Sequence, residues 1–136
     1  MTKQAPTPEG IAPVDVPISQ VIVSEGLVYT SGQVAEAADF DAEAHQVLRK
    51  IGACLAAAGC SYSDVLRVNV YLRDLADFPA FNQIYCSYFE PPFPVRTTVR
   101  ADLVADYRLE IDGKIHCVPA LASAVTVRWL AVGPER

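Results

Sequence analysis

Histidine is almost missing from this chain: among 136 residues only His45 and His116 occur. A serine or cysteine nucleophile needs an imidazole base held by a third group. His45 falls mid-helix on the polar side of a helical pattern and His116 late in a strand pattern, and neither has a flanking signature of a catalytic triad. Four dispersed cysteines (Cys54, Cys60, Cys86 and Cys117), none in a CxxC pair, suggest no metal cluster with so few histidines. No GxxxxGK(S/T) or GxGxxG pattern exists, Gly32 and Gly59 being isolated, so a phosphate-cradling loop is excluded. Basic residues are outnumbered by acidic ones, 11 against 16, for a net charge of −5. That balance argues against nonspecific nucleic-acid binding, which rests on a surplus of Lys and Arg. The longest apolar runs are broken by charge or glycine well short of a membrane span. The start, Met1-Thr2-Lys3-Gln4-Ala5-Pro6, has no apolar segment of a secretory signal. Free cysteines at apolar positions are mostly small core residues. The expectation is a cytoplasmic protein in a reducing compartment, with no membrane and no nucleic-acid partner.

What is present is a globular composition, 51% apolar and 20% charged, in a chain large enough to bury a core. Residues 1–17, rich in Pro, Thr and polar residues, read as a flexible N-terminal arm. Residues 18–136 read as a single domain, with an extension from about residue 119. Val21, Ile22 and Val23, the turn Glu25-Gly26, and Leu27-Val28-Tyr29-Thr30-Ser31 give a hairpin signal. Asp39 or Asp41 caps a helix whose stripe is Val47, Leu48, Ile51, Leu55 and Ala58, and Gly59 stops it. Val65 to Leu72 alternates, with Leu66, Val68, Val70 and Leu72 on one face and Arg67, Asn69 and Tyr71 on the other. A second helix starts at Asp74 or Asp77, tolerates Pro79 in its first turn, and carries the stripe Phe81, Ile84, Tyr85 and Tyr88. Strand patterns follow at Val95–Ala101, Arg108–Val118 and Val125–Val132. The order β-β-α-β-α-β-β, with a C-terminal strand added, predicts an α+β fold with two helices on one face of a mixed sheet. If the other face is apolar, a partner subunit covers it.

Two residues carry the chemistry. Arg96, in Pro94-Val95-Arg96-Thr97-Thr98-Val99, stands at the start of an apolar strand. Its guanidinium is always charged, and its planar fork fits a carboxylate. Glu110 follows fourteen residues later, in Leu109-Glu110-Ile111-Asp112. An arginine that holds a carboxylate and a glutamate that handles water make a small hydrolytic site; the same two residues could equally form a structural ion pair.

An ordered set of short motifs goes further. Leu27-Val28-Tyr29-Thr30-Ser31-Gly32-Gln33, Ala57-Ala58-Gly59, Val70-Tyr71-Leu72-Arg73-Asp74-Leu75, Asn82, Tyr85, Phe93-Pro94-Val95-Arg96 and Leu109-Glu110-Ile111 occur in this sequence. In that order they resemble the RidA/YjgF family of reactive-intermediate (enamine/imine) deaminases. The resemblance implies a homotrimer of chorismate-mutase-like subunits with active clefts between subunits. It implies hydrolysis of 2-imino or 2-enamino acids to 2-keto acids and ammonia, without metal or organic cofactor. By the same resemblance Arg96 clamps the substrate carboxylate and Glu110 activates or orients water. Backbone groups near Ser31, Gly32 and Thr98 line the pocket, and Asn82 approaches from a neighbouring subunit. The chain departs from the family where Ile18 replaces a tyrosine, which leaves a drier wall, where Thr98 replaces a frequent cysteine, and where the loop after Gln33 is short and acidic. The alternatives are a specialised member acting on a larger, aminomuconate-like enamine and a non-enzymatic ligand-binding or regulatory protein. The ribonuclease activity attached to some relatives is poorly matched by the acidic balance and the absence of a histidine pair.

Overall fold

The structure is a computed structural model that describes residues 2–117. Strands β1 (Val21–Ser24) and β2 (Leu27–Thr30) form a hairpin around Glu25 and Gly26, at φ 52° and 78°. Two successive left-handed residues give a primed turn, whose twist suits two adjacent strands. Helix α1 (Phe40–Ala57) begins where the Asp39 side chain accepts from the Ala42 amide at 2.9 Å. It ends at Gly59, whose φ of 75° lets the chain reverse while the Gly59 and Cys60 amides bond back to Ala56 and Leu55. Strand β3 (Val65–Leu72), helix α2 (Phe78–Tyr85), β4 (Val95–Arg100) and β5 (Leu109–His116) complete the elements.

The sheet order is β1-β2-β5-β3-β4, parallel only between β3 and β4. α1 packs on β5 and α2 packs on α1, so both helices cover one face, as the element order predicts. Between helices and sheet lies one core, with Leu48 and Leu55 of α1, Phe81 of α2, Val70 of β3, and Leu109 and Ile111 of β5. On the helix-free face Tyr29, Val95 and Val99 are exposed. Among residues 2–17 there is no helix or strand, and Gln4 bridges to Val23 beside β1. The predicted strand at 125–132 and the extension from about residue 119 lie outside the described residues.

Three local expectations are corrected. Leu66 is not on the buried face: a register shift between Val65 and Arg67 puts Val65 there and leaves Leu66 52% exposed. A bulge of this kind reverses side-chain parity on one side of it. Tyr88 lies beyond α2, where its hydroxyl meets Nδ1 of His45 at 2.8 Å. Cys60 and Cys117 are not free thiols but a disulfide joining the turn after α1 to the residue after β5. That pairing removes the cysteine argument for a reducing compartment. Cys54 is the inert core thiol expected, its pKa pushed up to about 11 by burial.

Candidate active site

Arg96 lies in β4 opposite Val68 and points toward the helices. Its guanidinium carbon sits 4.8 Å from the ring centroid of Tyr85, 5.5 Å from Phe81 and 5.7 Å from Phe78. Nη2 donates to Asn82 Oδ1 at 2.7 Å. Ring faces favour a cation, and one amide fixes its orientation. No carboxylate among the described residues lies within ion-pair distance of Arg96. Arg96 borders a cleft of about 310 Å³, lined also by Asn82, Tyr85, Cys86, Phe93 and Pro94. Thr98, two residues on and on the same face, has a buried hydroxyl with no hydrogen-bond partner among the described residues, as does Tyr85. Burial pushes the Tyr85 phenol up to about 12 despite the nearby Arg96 charge, so it is neutral at ordinary pH.

Glu110 lies in β5 opposite Tyr71. A Cβ at residue 32 would overlap the Glu110 carboxylate where it lies, so any residue but glycine would push that side chain aside. The approach is set by the backbone: Gln33 N donates to Ile111 O at 2.8 Å and Ile111 N to Gln33 O at 3.2 Å. Ser31 Oγ donates to Ser19 O at 2.5 Å, and Gln33 Nε2 donates to Gln20 Oε1 at 2.7 Å. These bonds tie the segment before β1 to the end of β2. Ile18, Gln20, Gly32, Gln33, Lys50 and Glu110 all border a cleft of about 410 Å³. Burial first, and then the neighbouring Asp112 charge, raise the Glu110 carboxyl above the usual glutamate value. Asp112 is itself held by Asn69 Nδ2 at 2.8 Å and by the Tyr71 hydroxyl at 3.3 Å.

The start of β5 is gripped from α1. Glu43, 2% exposed, accepts from the backbone amides of Arg108 and Leu109 at 2.7 and 3.1 Å and from Arg108 Nη1 at 2.9 Å. The sequence assigns Glu43 only to the first turn of a helix. The missed signal is a carboxylate directly beside the buried positions Ala44, Val47 and Leu48.

Arg96 and Glu110 do not meet within the chain. On β3 their partners are Val68 and Tyr71, three residues apart. Side chains alternate along a strand, so the two residues stand on opposite faces of the sheet. This rules out an ion pair between them in one chain. Asn82, which the resemblance brings in from a neighbouring subunit, is beside Arg96 of its own chain. Within one chain the candidate residues therefore fall into two groups: Arg96, Asn82 and Thr98 on the helix side, and Ile18, Ser31, Gly32 and Glu110 away from it. Among the described residues, the group with metal-ligand proximity is Cys60, Asp64 and Cys117, and its two sulfurs are bonded to each other.

The sequence profile of the family described as Endoribonuclease L-PSP matches residues 10–117. The 2-iminobutanoate/2-iminopropanoate deaminase of Dermatophagoides farinae is 35% identical over 120 residues, 82% of this chain and 89% of that protein. The 3-aminoacrylate deaminase RutC of Acinetobacter baylyi is 35% identical over 125 residues, 85% of this chain and 99% of that protein. The crystal structure of RidA from the Antarctic bacterium Psychrobacter sp. PAMC 21119 superimposes with a TM-score of 0.79 at 30% identity, over 83% of this chain and 98% of that one.

Proposed function

The chain belongs to the Endoribonuclease L-PSP family, that of the RidA/YjgF proteins, and from this premise we propose that it hydrolyses 2-imino and 2-enamino acids to 2-keto acids and ammonia. The observation that carries the reading is the division of Arg96 and Glu110 between two opposite faces of the sheet, each beside an open cleft. When subunits associate, Arg96 of one faces Glu110 of the next. In a homotrimer this happens three times by symmetry. The exposed Tyr29, Val95 and Val99 on the helix-free face support such an association.

The chemistry asks little of the protein. An imine carbon is already electrophilic, and an enamine reaches the imine by taking a proton at carbon. Arg96, oriented by Asn82, holds the substrate carboxylate in its fork. Glu110 takes a proton from water as the water oxygen bonds to the C=N carbon. It gives that proton to nitrogen to form a carbinolamine, then takes the carbinolamine's hydroxyl proton and passes it to nitrogen as the C–N bond breaks, so that the carbonyl forms and ammonia leaves. A carboxyl raised above its usual value by burial and by Asp112 exchanges a proton in both directions more readily near neutral pH. Ile18 and the Ser31-Gly32 backbone wall the pocket, and Thr98 stands beside the clamp.

The test is release of keto acid and ammonia from imines generated in situ by an amino-acid oxidase. The wild type accelerates release, and Arg96→Lys, which keeps charge but not the fork, loses ~2–4 kcal/mol of transition-state binding in kcat/KM with little change in stability. An Arg96→Lys protein that unfolds, or one that keeps full activity, makes Arg96 structural instead.

A further inference from the structure

Resting on the imine-hydrolase reading, we infer that Lys50 is a second anion subsite in the Glu110 cleft, one that selects substrates with a distal carboxylate. Three basic side chains among the described residues are half-buried: Lys50, Arg96 and Arg108. A cation withdrawn from water needs an anion or a dense set of acceptors. Arg108 has Glu43. Arg96 has ring faces, Asn82 and an open cleft, which is the basis for assigning it a substrate carboxylate. Lys50 has no carboxylate within ion-pair distance among the described residues. Its Nζ donates to the Val34 carbonyl at 2.6 Å, and an ammonium offers two further N–H donors.

The position of Lys50 fixes what it can recognise. Lys50 and Val34 border the same cleft as Gly32 and Glu110, and so do one other acid, Glu36, and two amides, Gln20 and Gln33. Neither Glu36 nor Glu110 comes within ion-pair distance of Lys50. The rest of the wall is largely aliphatic, with Ile11, Val14, Val16, Ile18 and Val104. An apolar wall ending at an unmatched ammonium suits a short methylene chain with a terminal carboxylate. The substrate class is thus a dianionic imino or enamino acid: its first carboxylate goes to Arg96, its reacting carbon faces Glu110, and its second carboxylate lies on Lys50.

The discriminating pair is the imine of glutamate and the imine of glutamine, which match in shape and differ in charge at the far end. Wild type has a higher kcat/KM for the glutamate-derived imine by about tenfold or more, the scale of one charge-assisted hydrogen bond. Lys50→Gln keeps a donor for Val34 O but no charge, and brings the ratio of the two kcat/KM values close to one; Lys50→Arg keeps the preference. A wild-type ratio near one, or the same ratio in Lys50→Gln as in wild type, overturns the subsite. A separate binding measurement keeps the two readings apart. Calorimetry should find 2-oxoglutarate bound about tenfold more tightly than 2-oxovalerate by wild type and about equally by Lys50→Gln. If neither imine is hydrolysed but this binding difference is present, the imine-hydrolase reading fails and the anion subsite stands. If both imines are hydrolysed and the binding difference is absent, the subsite fails and the hydrolase reading stands.

Discussion

At Glu110 one side chain serves both chemistry and stability, and the two can be separated. Burial and Asp112 raise its pKa in the fold. The folded protein therefore binds this proton more tightly than the unfolded chain does. The stability this contributes is complete below the ordinary glutamate value and is lost as pH rises through the raised one. Above that window the ionised carboxylate is a burden to the fold, and glutamine, always neutral, is not. Glu110→Gln is expected to melt higher than wild type near neutral pH, with the difference closing as pH falls below about 4. Melting curves across this range check it, and a variant that melts lower at neutral pH contradicts it. The same variant lowers kcat by about 10²–10⁴, the contribution of a positioned acid–base group, with KM changed little. A rise in KM alone would contradict the role given to water. Arg96, Glu110 and Gly32 are each legible in the sequence as residue types. Lys50 and Glu43 are not, because a lysine or glutamate on a helix is ordinarily solvated. What distinguishes them is burial and what lies around them, neither of which is local in sequence.

Among the elements, the link between α1 and β5 sets the geometry around Glu110. Glu43 on α1 satisfies two amides at the start of β5 and pairs with Arg108, two residues before Glu110. Removing the carboxylate leaves Arg108 uncompensated and two amides without their acceptor. Glu43→Ala is expected to cost about 3–5 kcal/mol, the range for breaking a buried pair from one side. Glu43→Gln keeps an acceptor for the amides and costs less than the alanine variant. Denaturant unfolding of the two variants measures both, and a loss below about 1 kcal/mol in Glu43→Ala would show that the pair is dispensable. The elements themselves are readable from local signals: Asp39 and Gly59 bracket α1, and alternation marks β3 and β5. The exception at Leu66 is instructive. Alternation alone carries parity through the whole strand, and a bulge resets it without altering composition.

For the whole molecule, the expected assembly is a homotrimer whose sites need two chains. Arg96→Ala and Glu110→Gln are each expected to keep only a small fraction of wild-type activity alone. Co-expressed in equal amounts and assembled at random, each mixed trimer has one interface that unites an intact Arg96 with an intact Glu110. Activity is then expected to return to about a quarter of wild type, by counting the arrangements of a cyclic trimer. Sedimentation reports the trimer, and the activity of the co-expressed mixture reports the shared site. A stable monomer at micromolar concentration, or a mixture as inactive as its parents, removes the intersubunit site.

The sequence by itself determined the α+β class, the order of the elements through β5, and the residue types able to hold a carboxylate and move a proton. Those properties follow from short-range spacing, capping and turn chemistry. Tertiary structure alone decided that Arg96 and Glu110 face opposite ways, that Cys60 meets Cys117 across 57 residues, and that Lys50 borders the Glu110 cleft with no carboxylate of the described residues within ion-pair distance. The reason is that pairing register and helix placement fix which side chains share a space. Both depend on contacts between distant segments, so no local window of the chain contains them.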